Sequence, residues 1–416
     1  MAQETKFYGW RMTVVCLLVQ AIAGGITIYL YSMFAGEVEK AFDAKRATVM
    51  LAATGHAVVS ALVGPKLGAL MDAHRLRWTM IACAAAMGGG FMLAPLVPSV
   101  WGFVAGFTLL VAVGSAGLTT LFTPLLLARW FVRRRGLAMG IAALGSQLGG
   151  FVLPPAVAFL IGRVGWQAAM FLVGLFAMAS ISALVYWAVI DHPRDCGQHP
   201  DGIAGTGADD GAEAAASLDA SLWAVLRDRN FWVAATGIGL VIAVFSAVLT
   251  NLSIFATDLG ESLERGAKLL SLFAFVGIVT SPLIGRLCDV LDIRIVFAGV
   301  VGTSLLALLL YATASDYQGL LVATAILAAV GGGVTPFIGA LVGRLFDLRV
   351  YGRATGSLFL VAIGVSSLVP VLSGWLYDFA GNYRAMFQAL SVALLLPLVA
   401  VPFIRLRPGC SPSPAR

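Results

Sequence analysis

The chain has 416 residues, of which 60% are hydrophobic and only 12% charged, and its mean hydropathy is +0.93. Soluble globular proteins are about half apolar and about a quarter charged, so this composition excludes that class and points to a polytopic membrane protein. The formal charge of +6, which would suggest nucleic acid in a soluble protein, bears here on orientation across a bilayer.

Apolar stretches of the roughly 20 residues needed to cross a bilayer occur about twelve times. They begin near residues 12, 48, 78, 101, 136, 166, 231, 267, 295, 318, 354 and 384. The expected fold class is an all-α integral membrane protein whose twelve transmembrane helices form two pseudo-symmetric six-helix bundles. An N-terminal bundle is expected over 1–190, a cytoplasmic linker over 191–229 and a C-terminal bundle over 230–416. The first apolar run is long, lacks a small-residue cleavage site and leads into a second span, so it is expected to remain as the first helix. With the N-terminus inside, most Lys and Arg fall on the cytoplasmic side, including Arg133, Arg134 and Arg135 between spans four and five. Arg344, Arg349 and Arg353 take the same place between spans ten and eleven. Both termini are therefore expected in the cytoplasm and the chain in the plasma membrane, a bacterial inner membrane fitting best.

Polar residues punctuate the spans. Gln20, Tyr29 and Tyr31 lie in the first, Thr119, Thr120 and Thr123 in the fourth, Gln147 in the fifth, Asn251 in the seventh, Ser366 and Ser367 in the eleventh. His56, flanked by Thr54 and Ser60, is the one protonatable group expected deep in a span, where an ionisable side chain is a functional-site hypothesis by default. The bland alternative is a neutral histidine sharing a hydrogen bond with a neighbouring helix. No Lys or Arg is expected deep in any span. Prolines at 124, 154, 155, 282, 336 and 370 predict bends in spans four, five, eight, ten and eleven, and the many glycines predict close helix packing.

After the second span the sequence reads GALMDAHRLR from Gly68, and after the eighth it reads GRLCDVLDIR from Gly285. Both copies have G-x-L-x-D with an arginine five residues after the aspartate: Asp72 with Arg77, and Asp289 with Arg294. A second echo aligns Gly136 with Gly352, Gly140 with Gly356, Pro154 with Pro370, and Ala169-Met170-Phe171 with Ala385-Met386-Phe387 at a constant offset of 216. An internal duplication of this kind in a membrane protein indicates a two-bundle transporter. The two aspartates are expected to accept from exposed N–H groups at helix starts preceded by Arg135 and Arg353, a latch that closes the cytoplasmic side.

The two copies of G-x-L-x-D resemble the loop motif of the major facilitator superfamily, and the resemblance covers essentially the whole chain. YGWR at 8–11, RWFVRRRGLAMG at 129–140 and GWLYDFAGNYRAMF at 374–387 resemble the monocarboxylate and oxalate/formate carrier branch. The resemblance implies two six-helix bundles with a central site and alternating access. It also favours helices 1, 4, 7 and 10 as lining the path, and with them Gln20, Tyr29, Thr123, Asn251 and Thr335. The chain departs from the family at Ala73, Arg75, Val290 and Asp292 within the loop motif. It has no charge at the positions near Tyr29, Gly277 and Ser281, where animal monocarboxylate carriers hold a lysine and an aspartate–arginine pair. Nor does the eleventh span carry the lysine of oxalate carriers.

The functional expectation is a secondary carrier of a small organic solute, a monocarboxylate-like acid, with protons coupled through His56. Efflux of an apolar or amphiphilic compound is the alternative, and a receptor that kept the fold is the alternative of another class. No P-loop, zinc motif or nucleophile elbow is present, and the five cysteines are scattered without metal-like spacing. An enzyme, a cofactor, a metal and a nucleic-acid partner are therefore not expected. One chain holds both bundles, so a monomer in the lipid bilayer is expected to suffice.

Overall fold

The structure, a computed structural model, describes residues 7–73, 76–132, 134–202, 227–346 and 351–403. Twelve apolar helices are found among the described residues. They are α1 (Gly9–Tyr29), α2 (Arg46–Ala73), α3 (Leu76–Leu93), α4 (Val100–Trp130), α5 (135–164) and α6 (166–188). The second set is α7 (Arg229–Asp258), α8 (Leu263–Val290), α9 (Ile293–Thr313), α10 (Tyr317–Gly331 continued by Val334–Leu345), α11 (Tyr351–Ser367 continued by Val369–Ala380) and α12 (Arg384–Ala400). Only helix satisfies every backbone group within its own segment in lipid, which is why long apolar runs take this form.

The chain divides into two compact units, one of Met1–Ala44 with Leu51–Ala208, the other of Lys45–Met50 with Asp209–Arg416. The division falls within the stretch expected as the linker, 191–229, and the first turn of α2 groups with the second unit. Residues 191–202 are built onto the first unit instead of forming a free connector. Pro193–Cys196 and Pro200–Gly202 make two short turns, Gln198 Oε1 accepts from the Tyr8 amide at 2.9 Å, and Asp201 Oδ2 accepts from the Val132 amide at 2.9 Å. The surface helix expected over 221–229 lies outside the described residues except for its last three.

The duplication is visible in the backbone. Gly165 (φ 80) separates α5 from α6 without a loop, and Gly381 (φ 69) ends α11 just before α12. These are the same register positions of the repeat, and a positive φ that costs an L-residue energy costs glycine none. Asp43 (φ 46) and Gly260 (φ 83) likewise precede α2 and α8.

The predicted bends take several forms. α10 is interrupted at Gly332 and Gly333, three residues before Pro336, and α11 at Leu368, with Pro370 in the first turn that follows. Pro154, Pro155 and Pro282 lie within unbroken helix. In α4, two wide π-type turns, Phe107–Val111 and Ala116–Leu121, precede Pro124. Pro124 has no N–H to offer the carbonyl one turn back, and the second wide turn absorbs that gap. α1 contains a further π-turn at Gln20–Gly24 that no proline announces.

α1 packs on α5 through small residues. A Cβ on Gly149 would overlap the carbonyl oxygen of Ala21 and lie 2.9 Å from Gly25 Cα, whereas Gly140 on the same helix meets nothing within 4 Å. Close backbone approach of this kind is how helices gain packing energy in a solvent as apolar as their side chains. Gly149→Val is therefore expected to destabilise the fold by ~1–3 kcal/mol, the usual cost of overpacking. Gly140→Val should leave the thermal unfolding midpoint in detergent unchanged.

Candidate functional site

In the first unit the polar residues of α1, α2, α4 and α5 join into one run. The Gln20 side chain leaves the π-turn of α1 and donates through Nε2 to the Thr119 carbonyl at 2.7 Å and to Thr123 Oγ1 at 3.2 Å. Its Oε1 accepts from Ser146 Oγ of α5 at 3.2 Å. Thr119 lies in the wide turn of α4, where the shifted hydrogen-bond pattern releases carbonyls, so the Gln20 amide supplies a donor to a group that lipid could not satisfy. Thr119 Oγ1 in turn donates to the Ser115 carbonyl at 2.8 Å. Ser115 Oγ then meets His56 Nε2 of α2 at 2.7 Å.

His56 is thus held by α4 at Ala112–Ser115, the short regular stretch between the two wide turns. Ser115 Oγ and Ser60 Oγ both reach the Ala112 carbonyl, at 3.2 and 3.1 Å. The serine hydroxyl has one proton. Directed to Ala112, it leaves Ser115 as acceptor for a protonated Nε2; directed to Nε2, it serves the other neutral tautomer. The pair can therefore accommodate either state of that ring nitrogen without moving a heavy atom. Phe107 closes one side of the imidazole, with ring centres 6.0 Å apart. Tyr29 is buried and its hydroxyl donates to Gln147 Oε1 of α5.

Of the residues expected to line the path, Gln20 and Thr123 share one hydrogen-bonded cluster with Thr119, and Tyr29 stands one step along the α1–α5 seam. Asn251 belongs to a different cluster, in the second unit, where its Nδ2 donates to Ser373 Oγ at 3.0 Å and its Oδ1 accepts from the Tyr383 hydroxyl at 3.0 Å. Thr335 is exposed just after the break in α10.

Asn251 leads to the cation that sequence reasoning missed. Tyr383 also bonds Arg46, whose Nη1 and Nη2 pair with Asp258 Oδ2 at 2.6 Å and Oδ1 at 3.3 Å. The Arg46 side chain is only 5% exposed, and its guanidinium lies 3.7 Å from the centre of the Tyr377 ring. Because Arg46 is the first residue of α2, a count of charges inside spans passes over it.

At the opposite ends of these helices, each repeat uses an arginine to close the second helix of its set. Arg129 of α4 donates to the Met71 carbonyl at 3.3 Å. Arg344 of α10 donates to the carbonyls of Leu291, at 3.1 Å, and Cys288. A cation beside the last carbonyls of a helix complements its dipole. Both sit beside the duplicated aspartates, and the shared ARWF and GRLF context (128–131 and 343–346) was the available signal.

Two of the expected latch residues, Arg77 and Arg294, make their described bonds within their own units. Arg77 donates to the Val189 carbonyl after α6, and Arg294 begins α9, its amide bonded to Asp292 Oδ1 at 2.8 Å. Asp292 caps the α9 N-terminus, which explains this departure from the family loop. Asp289 and Arg135 are exposed, a Cβ on Gly285 would meet Pro336 of α10 at 3.9 Å, and one on Gly68 would meet nothing within 4 Å. The side chains of Asp72 and Arg353 lie outside the described residues.

The profile of the Major Facilitator Superfamily matches residues 15–299 and 267–415. The chain belongs to the Major Facilitator Superfamily. Its member proteins are transporters, and this chain is a multi-pass membrane transporter and not an enzyme. It is 25% identical over 392 residues to monocarboxylate transporter 13 of Bos taurus, covering 93% of this chain and 87% of that one. It is 29% identical over 292 residues to monocarboxylate transporter 11 of Mus musculus, a match that spans 67% of this chain and 62% of the mouse protein's length. Among solved structures, a bacterial homologue of the human lysosomal transporter Spinster shares the fold, with a TM-score of 0.71, 15% identity, and coverage of 96% and 95% of the two chains.

Gln20→Leu removes the donor from the Thr119 carbonyl inside a span, and an orphaned polar group costs about 1–3 kcal/mol in a protein interior. Single interhelical hydrogen bonds in membranes are worth less, about 0.6 kcal/mol on average. We expect a loss of about 1 kcal/mol, between these two values. Reversible unfolding of Gln20→Leu and Thr123→Val in mixed micelles checks this, the former being the larger.

Proposed function

We propose that this transporter is a secondary carrier of a small organic solute, a monocarboxylate-like acid, working by alternating access with protons coupled at His56. The observation that carries the reading is the hydrogen-bonded run from Gln20 through Thr119 and Ser115 to His56. An anion taken from water into a span needs donors or a cation to replace its hydration. This run supplies an amide, hydroxyls and an imidazole, and the imidazole is the one that can take up a proton. Its monocarboxylate-transporter relatives support the same substrate class. The duplicated G-x-L-x-D segments, with Gly68, Asp72, Arg77 and Arg135 in one copy and Gly285, Asp289, Arg294 and Arg353 in the other, are read as the cytoplasmic gate. Orientation follows the distribution of Lys and Arg: termini in the cytoplasm, chain in the plasma membrane, one chain sufficing.

Reconstituted in liposomes with an acidic exterior, the protein should take up a small monocarboxylate such as radiolabelled lactate or pyruvate faster than without the gradient. His56→Gln, which keeps a hydrogen bond but cannot be protonated, should lower the gradient-dependent part at least tenfold. Stimulation that persists in His56→Gln would remove the proton from that site. Absence of uptake for every acid tested, with the protein folded, would favour export of an apolar compound.

Orientation has an independent test. Cys196 is exposed, while Cys16, Cys83 and Cys288 are buried. In a Cys410→Ser background, a membrane-impermeant maleimide should label inside-out vesicles at Cys196 and leave right-side-out vesicles unlabelled.

A further inference from the structure

Residues 189–202 follow α6 and lie across the ends of three other helices of the first unit. Two backbone carbonyls hold the near end: Val189 accepts from Arg77 at the start of α3, and Ile190 accepts from Trp130 Nε1 at the end of α4, at 3.1 Å. Further along, Gln198 Oε1 accepts from the Tyr8 amide just before α1, and Asp201 Oδ2 from the Val132 amide just after α4, each at 2.9 Å. The segment is thus a strap with an inner and an outer attachment. Between them stands the turn Pro193–Cys196, closed by a reciprocal pair of bonds. The His192 side chain accepts from the Asp195 amide, and Asp195 Oδ2 accepts from the His192 amide at 3.1 Å. The Gly197 and Gln198 amides, bonded to the Arg194 and Pro193 carbonyls at 3.1 and 3.0 Å, complete it. Pro193 is the one buried side chain between residues 191 and 201, so the outer part of the strap is held by polar bonds and has this turn as its root.

We propose that the His192 turn is a pH switch, which fastens the strap when the imidazole is neutral and frees its outer half when the imidazole is protonated. A ring nitrogen that accepts from a backbone N–H must carry a lone pair. An imidazolium has none and turns an N–H toward the Asp195 amide instead. Its charge also draws on Asp195 Oδ2, the other half of the reciprocal pair, so protonation undoes the turn from both sides. Four charged groups act on the ring: Arg129 from the end of α4, Arg194 within the turn, and the carboxylates of Asp195 and Asp191. Partial burial and then the two arginines hold the His192 pKa below its ordinary 6.5, and the aspartates offset this only in part. The fastened strap therefore binds fewer protons than the free one. Its hold is complete above pH 6.5 and is lost as pH falls from there towards the lowered value. The strap ties the ends of α1 and α4, the helices that carry Gln20 and the Ser115–Thr119 stretch. The regulatory consequence rests on the carrier reading: acid that accumulates on the strap's face loosens the two helices that meet the solute, a response separate from protonation of His56.

Hydrogen–deuterium exchange of the full chain in nanodiscs, read in the peptides that contain Tyr8 and Val132, tests the switch. His192→Asn keeps a side-chain acceptor for the Asp195 amide but does not titrate, so at each pH it is the reference that cancels the intrinsic pH dependence of exchange. The parent and His192→Asn should exchange alike at about pH 7.5. At about pH 5.5 the parent should exchange several-fold faster than His192→Asn, within the limit of about tenfold per pH unit that one proton allows. His192→Arg, a fixed charge with no acceptor, should exchange faster than His192→Asn at both pH values, and His199→Gln should behave as the parent. Coincident exchange of the parent and His192→Asn throughout the range would overturn the proposal, as would a pH response that disappears in His199→Gln. Protection in His192→Arg equal to that in His192→Asn would likewise overturn it. Should His192→Arg not yield monodisperse protein, the parent against His192→Asn decides the question alone. No solute enters the experiment, so failure of the switch is distinct from failure of the monocarboxylate reading.

Discussion

Inside a membrane span, a backbone carbonyl that loses its helical partner has no water to turn to. Much of the polar architecture of this transporter follows from that constraint. Pro124 and the wide turns of α4 release carbonyls along the stretch that faces α1 and α2, and the side chains that come to that stretch are those with donors to give. Gln20 serves Thr119, Ser60 serves Ala112, and Ser115 stands between Ala112 and His56. The irregularity of one helix and the polar side chains of two others are parts of a single solution. A regular α4 would keep the Thr119 carbonyl for its own ladder and leave Gln20 only Thr123 Oγ1 as an acceptor on that helix.

The duplication shows which features belong to the fold and which to this chain's chemistry. Features present in both repeats are mechanical: glycines of positive φ at Gly165 and Gly381, positive-φ residues at Asp43 and Gly260, and arginines at Arg129 and Arg344 that close the ends of α2 and α8. Features present once are chemical. Among the described residues the His56 run has no counterpart in the second unit, where Gly277, Thr280 and Ser281 occupy the middle of α8, and the Arg46 cluster has none in the first. An ancestral pair of equal halves has kept its hinges and helix ends in common and placed its polar groups asymmetrically.

The spans were legible because a bilayer imposes length and hydropathy on each of them, and the repeat because its glycines and prolines occupy positions where the backbone admits little else. His56 was legible as the lone ionisable group in an apolar run. What it bonds to was not, since the partner depends on how α4 unwinds, and a π-turn leaves little mark in sequence: α4 has Pro124, but α1 makes the same turn at Gln20–Gly24 without one. Arg46 escaped for another reason. Sequence reasoning counted charges by depth within a span, whereas burial at a helix end is decided by what packs over it, here Tyr377 and Tyr383. Asp292 shows the converse, a departure from the family loop that turned out to be an ordinary helix cap.

The location of the partnered cations also constrains the proposed transport. Among the described residues, those with well-formed partners stand at helix ends, where carbonyls or carboxylates are close: Arg129 and Arg344 on carbonyls, Arg46 on Asp258. Arg46, the buried one of the three, is not free to bind a solute, because withdrawing its partner would leave a buried charge uncompensated, at a cost of about 3–5 kcal/mol. A carrier of monocarboxylates built like this one would therefore meet its solute with hydroxyls, amides and a histidine. Such groups solvate a carboxylate weakly when the imidazole is neutral and well when it is protonated, and that difference is itself a means of coupling. Proton and anion would then enter the span together as a net neutral load.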